Sequence, residues 1–198
     1  MSKNSNIFVR SLKELKSTRC LALTALLISI NIALDLMGLQ IKLPPNLRIG
    51  FGFLCNAAIG MLFGPVVGMM AGVCTDVLGY FAGNLTMGAY FPGFTLTAVV
   101  GGLLWGLWLY PRKLSVGRAI GAKLCINVIC NIGMNTLWLT MTGGKAMSAL
   151  LALRIPKNLL ILPAEVVILY FAMKMVLRFY KMLPSTQNGE CAATDQAS

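Results

Sequence analysis

No histidine occurs anywhere in the chain. Its absence removes the general base of Ser–His and Cys–His nucleophilic sites. The cysteines Cys20, Cys55, Cys74, Cys125, Cys130 and Cys191 include no C-x-x-C pair, so without histidine a zinc site is not expected. Most of them fall in apolar stretches, where a thiol packs as a small apolar group. A nucleotide-binding loop is missing as well. The segment "TGGKAM" has neither the G-x-x-x-x-G-K-[ST] spacing nor a preceding strand. The chain is therefore expected to be no enzyme, to use no cofactor or metal, and to hydrolyse no ATP itself. Charge is also scarce: 12% of residues are charged, and only 6 are Asp or Glu. A soluble domain carries about a quarter charged residues, so the solvent for most of this chain is not water.

What fills the sequence instead is apolar. Hydrophobic residues make up 57% of it, and the mean hydropathy is +0.76. A helical span needs about 20 predominantly apolar residues, so 198 residues accommodate roughly six spans with short loops and no separate soluble domain. The spans are read at Cys20–Leu39, Phe51–Phe63, Val66–Phe81, Pro92–Tyr110, Ala119–Met141 and Leu150–Leu177. Pro44 and Pro45 exclude a continuous helix between the first two. Gly64-Pro65 is a turn signal between the second and third. The expected fold is all-α: an integral membrane bundle of six transmembrane helices over 20–180, a basic cytoplasmic segment at 1–19, and a polar, disordered cytoplasmic tail at 181–198. The first 19 residues are too polar and basic, and the stretch after them too long, for a cleavable signal.

The formal net charge of +11 can indicate nucleic acid, but its distribution indicates membrane topology. Lys3, Arg10, Lys13, Lys16 and Arg19 precede the first span. Arg112, Lys113 and Arg118 share one loop, and Lys174, Arg178 and Lys181 lie at the end of the last. This is the cytoplasmic excess of Lys and Arg. It puts both termini on the cytoplasmic side of a bacterial plasma membrane and makes the bilayer, not nucleic acid, the partner. Gly60, Gly64, Gly68 and Gly72 are four apart, as are Ala98, Gly102 and Gly106, a spacing that lets membrane helices approach closely.

Against this background a few polar residues stand out. Asp35 lies late in the first span and Asp76 in the middle of the third. Lys123, Asn127, Asn131 and Asn135 recur every four residues along the fifth, with Trp138 nearby. Arg154, Lys157, Asn158 and Glu165 open the sixth. Ionisable groups at such depth face a bundle interior or a water-filled cavity and mark functional sites. The structural alternative for Asp76 is an interhelical bond to Arg48 or Arg154. Lys123 reads as a cytoplasmic-side cation that snorkels. Tyr80, Phe81, Tyr90, Phe91 and Phe94 cluster around one loop, as an interfacial aromatic belt does. An aromatic slot with one carboxylate and several cations suits a flat heteroaromatic ligand bearing hydrogen-bond donors at one end and carboxylates at the other.

The stretch "LRIGFGFLCNAAIGMLFGPVVGMMAGVCTDVLGYF", followed by "GAYFPGFTLTAVVGGLLWGLWLY" and later "RIPKNLLILP", resembles the folate family of substrate-binding S components of energy-coupling factor (ECF) vitamin transporters. The likeness covers roughly residues 20–180. It implies a subunit that captures a vitamin from outside and docks on a transmembrane scaffold protein with two ATPase subunits, which alone would use ATP. It also implies a small-residue docking face, here Ala25 and Ser29 in "ALLIS", where many S components carry A-x-x-x-A. With folate or a reduced folate as ligand, Asp76 is expected to accept the amino-pyrimidine edge of the pterin, and Tyr80, Tyr90, Phe91 and Trp138 to wall the rings. Arg48, Arg154 and Lys157 would attract the glutamate carboxylates, and Asn135 and Asn158 would add polar contacts. Two rival readings are an S component for another vitamin or nucleobase-like compound, and an autonomous carrier using Asp76 and Glu165 as proton relays.

Overall fold

A computed structural model describes residues 7–38, 40–43, 47–83, 90–110, 114–143 and 147–182, the side chains at 40–43, 47–49, 143, 147–154, 157 and 181 excepted. The expected tail from residue 183 onward lies outside the described residues. Apolar content and length dictate the main elements. Helices α2 (Thr18–Leu36), α4 (Pro65–Gly83) and α5 (Pro92–Leu109) are each long and apolar enough to cross a membrane. So are the stretch Val116–Thr142 and the part of the last helix at Asn158–Tyr180. The fifth span is composite: α6 (Val116–Ile126), a π-helical segment (Asn127–Met134) and α7 (Asn135–Gly143). The sixth is α8 (Met147–Met182), which contains Pro156 and Pro163.

Helix α3 (Gly52–Phe63) differs in kind. Its 12 residues reach only about 18 Å, well short of a hydrocarbon core of about 30 Å. It is sheathed by the other helices rather than lipid: Ala57, Ala58, Ile59, Met61, Leu62 and Phe63 are all buried. Gly64 ends it with a φ of 88°, a left-handed conformation that glycine adopts without a Cβ penalty. The chain then turns directly into α4, with Pro65 at the first helical position.

The glycine rows act across two helices. The Gly64 turn divides the first row, and Gly68 and Gly72 of α4 meet Ala98 and Gly102 of α5. A Cβ on Gly68 would sit 2.6 Å from the Gly102 carbonyl oxygen, and one on Gly72 would sit 2.5 Å from that of Ala98. Gly60 likewise faces Trp105, where a Cβ would lie 2.7 Å from the tryptophan's own. These are backbone-to-backbone approaches that larger residues exclude. They make α4 and α5 the most extensively packed pair.

Two elements depart from the sequence-based expectation. The loop after α2 is a hairpin, β1 (Gln40–Leu43) paired antiparallel with β2 (Leu47–Gly50), with Lys42 opposite Arg48. The otherwise helical bundle thus carries one two-stranded ribbon among its described residues. The basic N-terminal segment also contains a helix, α1 (Ile7–Glu14). It sits at the bundle end where α3 meets α4, near the end of α5 and the close of α8, to which Arg19 of α2 is tied by a 3.0 Å bond to the Tyr180 carbonyl.

Candidate functional site

At the opposite end, the shortness of α3 leaves space above its first turn. A cavity of about 570 Å³ occupies it, a volume suited to a small organic ligand. Four helices line it, with the end of β2. The last turns of α2 contribute Asn31 and Asp35, and the first turn of α3 contributes Phe53 and Asn56. The second half of α4 brings Thr75, Asp76 and Tyr80, and α5 closes it at Ala98. Five glycines on its wall, Gly50 of β2 with Gly52, Gly72, Gly79 and Gly83, keep that wall free of side chains.

Asp76 is held in place before any ligand arrives. Thr95 Oγ1 donates to its Oδ2 at 2.6 Å, and Tyr90 is bonded to the same threonine oxygen. A hydroxyl has one proton to give, so Tyr90 donates to Thr95 and Thr95 donates to Asp76. An ionised carboxylate offers about four acceptor positions. Thr95 takes one and leaves both oxygens able to accept from the cavity. Tyr90 is anchored in turn by an edge contact with Tyr80, their ring centroids 5.2 Å apart.

Asp35 and Asn31 form a second polar corner. They lie one helical turn apart on one face of α2. Asn31 Nδ2 donates to Asn56 Oδ1 at 3.3 Å, joining α2 to α3. Gly52 lies against the Asn31 oxygen so closely that any Cβ there would strike it. Asp35 was visible in the sequence as an intramembrane acid. Its convergence with Asn31, Asn56 and Asp76 on one cavity was not, because three helices and a tertiary contact bring them together. Thr95 gave no signal at all, since threonine is common in apolar helices.

The remaining expected site residues divide. Arg48 lies on β2, and Arg154 and Lys157 lie on α8; their side chains are outside the described set. Phe91 and Trp138 form their own aromatic pair, centroids 5.6 Å apart, pressed on Gly93. The Trp138 indole N–H donates to Thr97 at 3.0 Å. That ring fastens α7 to α5 and, like Phe91, Asn135 and Asn158, is not among the residues that line the cavity. The π-helical segment ends just before Asn135. Its i→i+5 turns hold more residues than α turns, which moves Asn135 out of the ladder in which Asn131 donates to Asn127 at 2.8 Å.

Lys123 is a correction. It does not snorkel to the membrane surface: it is 3% exposed and pairs with Glu165 at 3.2 Å. Its ammonium also lies 3.8 Å from the ring centroid of Phe53. Glu165 supplies a counter-charge and Phe53 a π-face, so neutralisation inside the bundle replaces the reach to water that an isolated lysine would need. Because Phe53 lines the cavity, this ion pair sits directly behind the cavity wall. On α2, Ala25 and Ser29 are both exposed, one turn apart. Ser29 satisfies its own hydroxyl on the Ala25 carbonyl at 2.9 Å, leaving a smooth outward face of small residues.

A six-segment apolar bundle with an open, polar-cornered cavity at one end is the architecture of a membrane substrate binder, and the comparisons place it. Residues 19–173 match the family model of the ECF transporter, substrate-specific component. The chain belongs to that family, which is a transporter component and not an enzyme. It is 43% identical over 132 residues to the folate transporter FolT of Clostridium novyi (strain NT), covering 67% of this chain and 76% of that one. It is 31% identical over 160 residues to the folate transporter FolT of Leuconostoc mesenteroides, covering 78% and 84%. The fold is similar to the crystal structure of FolT bound with folic acid, with a TM-score of 0.68 at 30% identity, over 79% of this chain and 92% of that one.

Proposed function

We propose that this chain is the folate-capturing subunit of an ATP-driven vitamin importer. The observation that carries the proposal is Asp76, oriented by the Tyr90–Thr95 relay in a cavity of about 570 Å³. A pterin presents an amino group and a ring N–H side by side. A carboxylate accepts both in parallel, and such charge-assisted pairs are about twice as strong as neutral ones. Once a bound ligand covers them, their shielding from water strengthens them further. Tyr80 lies one turn beyond Asp76 on α4 and offers a ring face. Asp35, Asn31 and Asn56 add polar partners for the rest of the bicycle. β2, which carries Arg48, contacts α8, which carries Arg154 and Lys157. That contact supports a reading in which the three cations serve one approach for the glutamate carboxylates.

Delivery requires partners. A transmembrane scaffold protein docks on the Ala25–Ser29 face, and two ATPase subunits hydrolyse the ATP, for which this chain has no motif. The basic end of the bundle faces the cytoplasm of a bacterial cell, so the cavity opens to the outside. Titration of the purified protein with folic acid and with reduced folates, followed by tryptophan fluorescence, tests the proposal. Saturable tight binding without any partner supports it. Absence of binding to every folate by folded protein overturns the ligand assignment.

A further inference from the structure

Helix α1 is amphipathic in an unusual sense: its apolar face points away from the protein. Ser11 faces the bundle and is completely buried. Phe8, Val9 and Leu12, which share one face by helical spacing, are 46%, 44% and 57% exposed. The buried serine fixes this orientation. Its hydroxyl donates to the Phe63 carbonyl at 2.7 Å and accepts from the backbone N–H of Val66 at 3.0 Å and of Val67 at 3.3 Å. Those two amides belong to the first turn of α4, whose donors have no partner within their own helix. Ser11 therefore caps α4 from another helix. Gly64 makes the approach possible, since a Cβ there would lie 2.9 Å from Ser11 Oγ.

A helix packed on a soluble core turns its apolar stripe inward. Here the inward position is a capping serine, and the apolar face is outside, at the level where α3 ends and α4 begins. The apolar phase available at that level is the bilayer. On and just after the helix stand Arg10, Lys13 and Lys16, with Glu14 as the one acid between residues 7 and 19. Arg10 lies 6.0 Å over the ring of Tyr110 at the close of α5, so the basic residues share this end of the spans. Apolar side chains on one face, cations beside them and a fixed seat at a membrane boundary are the features of an interfacial helix.

We infer that α1 is a membrane-surface helix: Phe8, Val9 and Leu12 seat in the interfacial layer of an anionic leaflet, the exposed Lys13 and Lys16 meet its acidic headgroups, and Ser11 fastens the helix to the bundle. The surface is thus a lipid-binding one, selective for acidic phospholipid. The same face would also suit a protein partner, and the test separates the two because no partner is present in it.

Hydrogen–deuterium exchange of the full-length protein, in nanodiscs of pure phosphatidylcholine and of phosphatidylcholine with phosphatidylglycerol at 7:3, reads the seating directly. Amides of residues 7–14 are expected to exchange about tenfold more slowly in the anionic discs. Half-molar salt should erase the difference, as should Leu12→Asp, while exchange in α4 and α5 stays as in the parent. Lys13→Gln, which leaves the apolar face intact, should reduce it. Equal exchange in the two lipids overturns the inference, as does a difference that persists in Leu12→Asp.

Discussion

Lys123 and Glu165 meet at 3.2 Å in the interior of the bundle, with 4% and 14% of their side chains exposed. The pair joins α6 to α8 directly behind Phe53, whose ring receives the ammonium on its face. Removing one member leaves an unpaired buried charge, at a cost of about 3–5 kcal/mol. Lys123→Met and Glu165→Leu are each expected to lower the melting temperature of the purified protein strongly. The combined Lys123→Met/Glu165→Leu variant should recover most of the loss, because replacing both partners removes the orphaned charge. A double variant no more stable than either single one would show that the two residues do not act as a pair.

Thr95 is expected to matter for ligand affinity although it does not line the cavity. Thr95→Val keeps the shape and removes the donor to Asp76. The carboxylate then loses its fixed direction and one charge-assisted bond, worth about 1.5–3 kcal/mol. A roughly tenfold or greater weakening of folate binding should follow, with some loss of thermal stability because the same bond joins α5 to α4 but with the helical fold retained; Tyr90→Phe should weaken binding less, because only the outer bond of the relay is lost. Calorimetric titration of both variants distinguishes this relay from an incidental contact, for which affinity would not change.

The α4–α5 contact tolerates no side chain at its centre. Any Cβ on Gly102 would strike the Gly68 carbonyl and backbone. Gly102→Leu should prevent native packing of the two helices, and the protein should fail to elute as a monodisperse species after extraction. Gly117→Ala is the control. Gly117 has open space beside it, so this variant should behave as the parent.

Trp138 serves packing in this structure, through its bond to Thr97 and its contact with Gly93. Trp138→Phe removes one partly buried hydrogen bond and should cost about 1 kcal/mol of stability. It should leave folate affinity within about twofold of the parent. A loss of affinity far beyond that would place the indole against the ligand.

Much of the molecule follows from local sequence. Hydropathy marks the spans, and Gly64-Pro65 marks the turn that separates α3 from α4. Asp76 stands out because a carboxylate at that depth is expensive and is kept only where something uses it. What could not be read are relations that no local pattern encodes. The hairpin depends on strand pairing across Pro44 and Pro45. The π-helical stretch at Asn127–Met134 shifts the fifth span's register, so Asn135 and Trp138 leave the face that an uninterrupted α-helix would give them. Lys123 finds Glu165 only once α6 and α8 pack. Asp35, Asn31 and Asn56 become one polar corner only when the short helix α3 is tucked beneath α2. The cap from Ser11 to α4 likewise joins segments distant in the chain.

Folate capture through Asp76 is tested most directly by calorimetric titration of folic acid into the purified parent protein and into Asp76→Ala, with circular dichroism to show that both are folded. The parent should bind tightly and without partner subunits. Asp76→Ala should lose at least about a hundredfold in affinity, the equivalent of two charge-assisted hydrogen bonds, while retaining its helical content. Equal affinity in the two proteins would contradict the role given to Asp76.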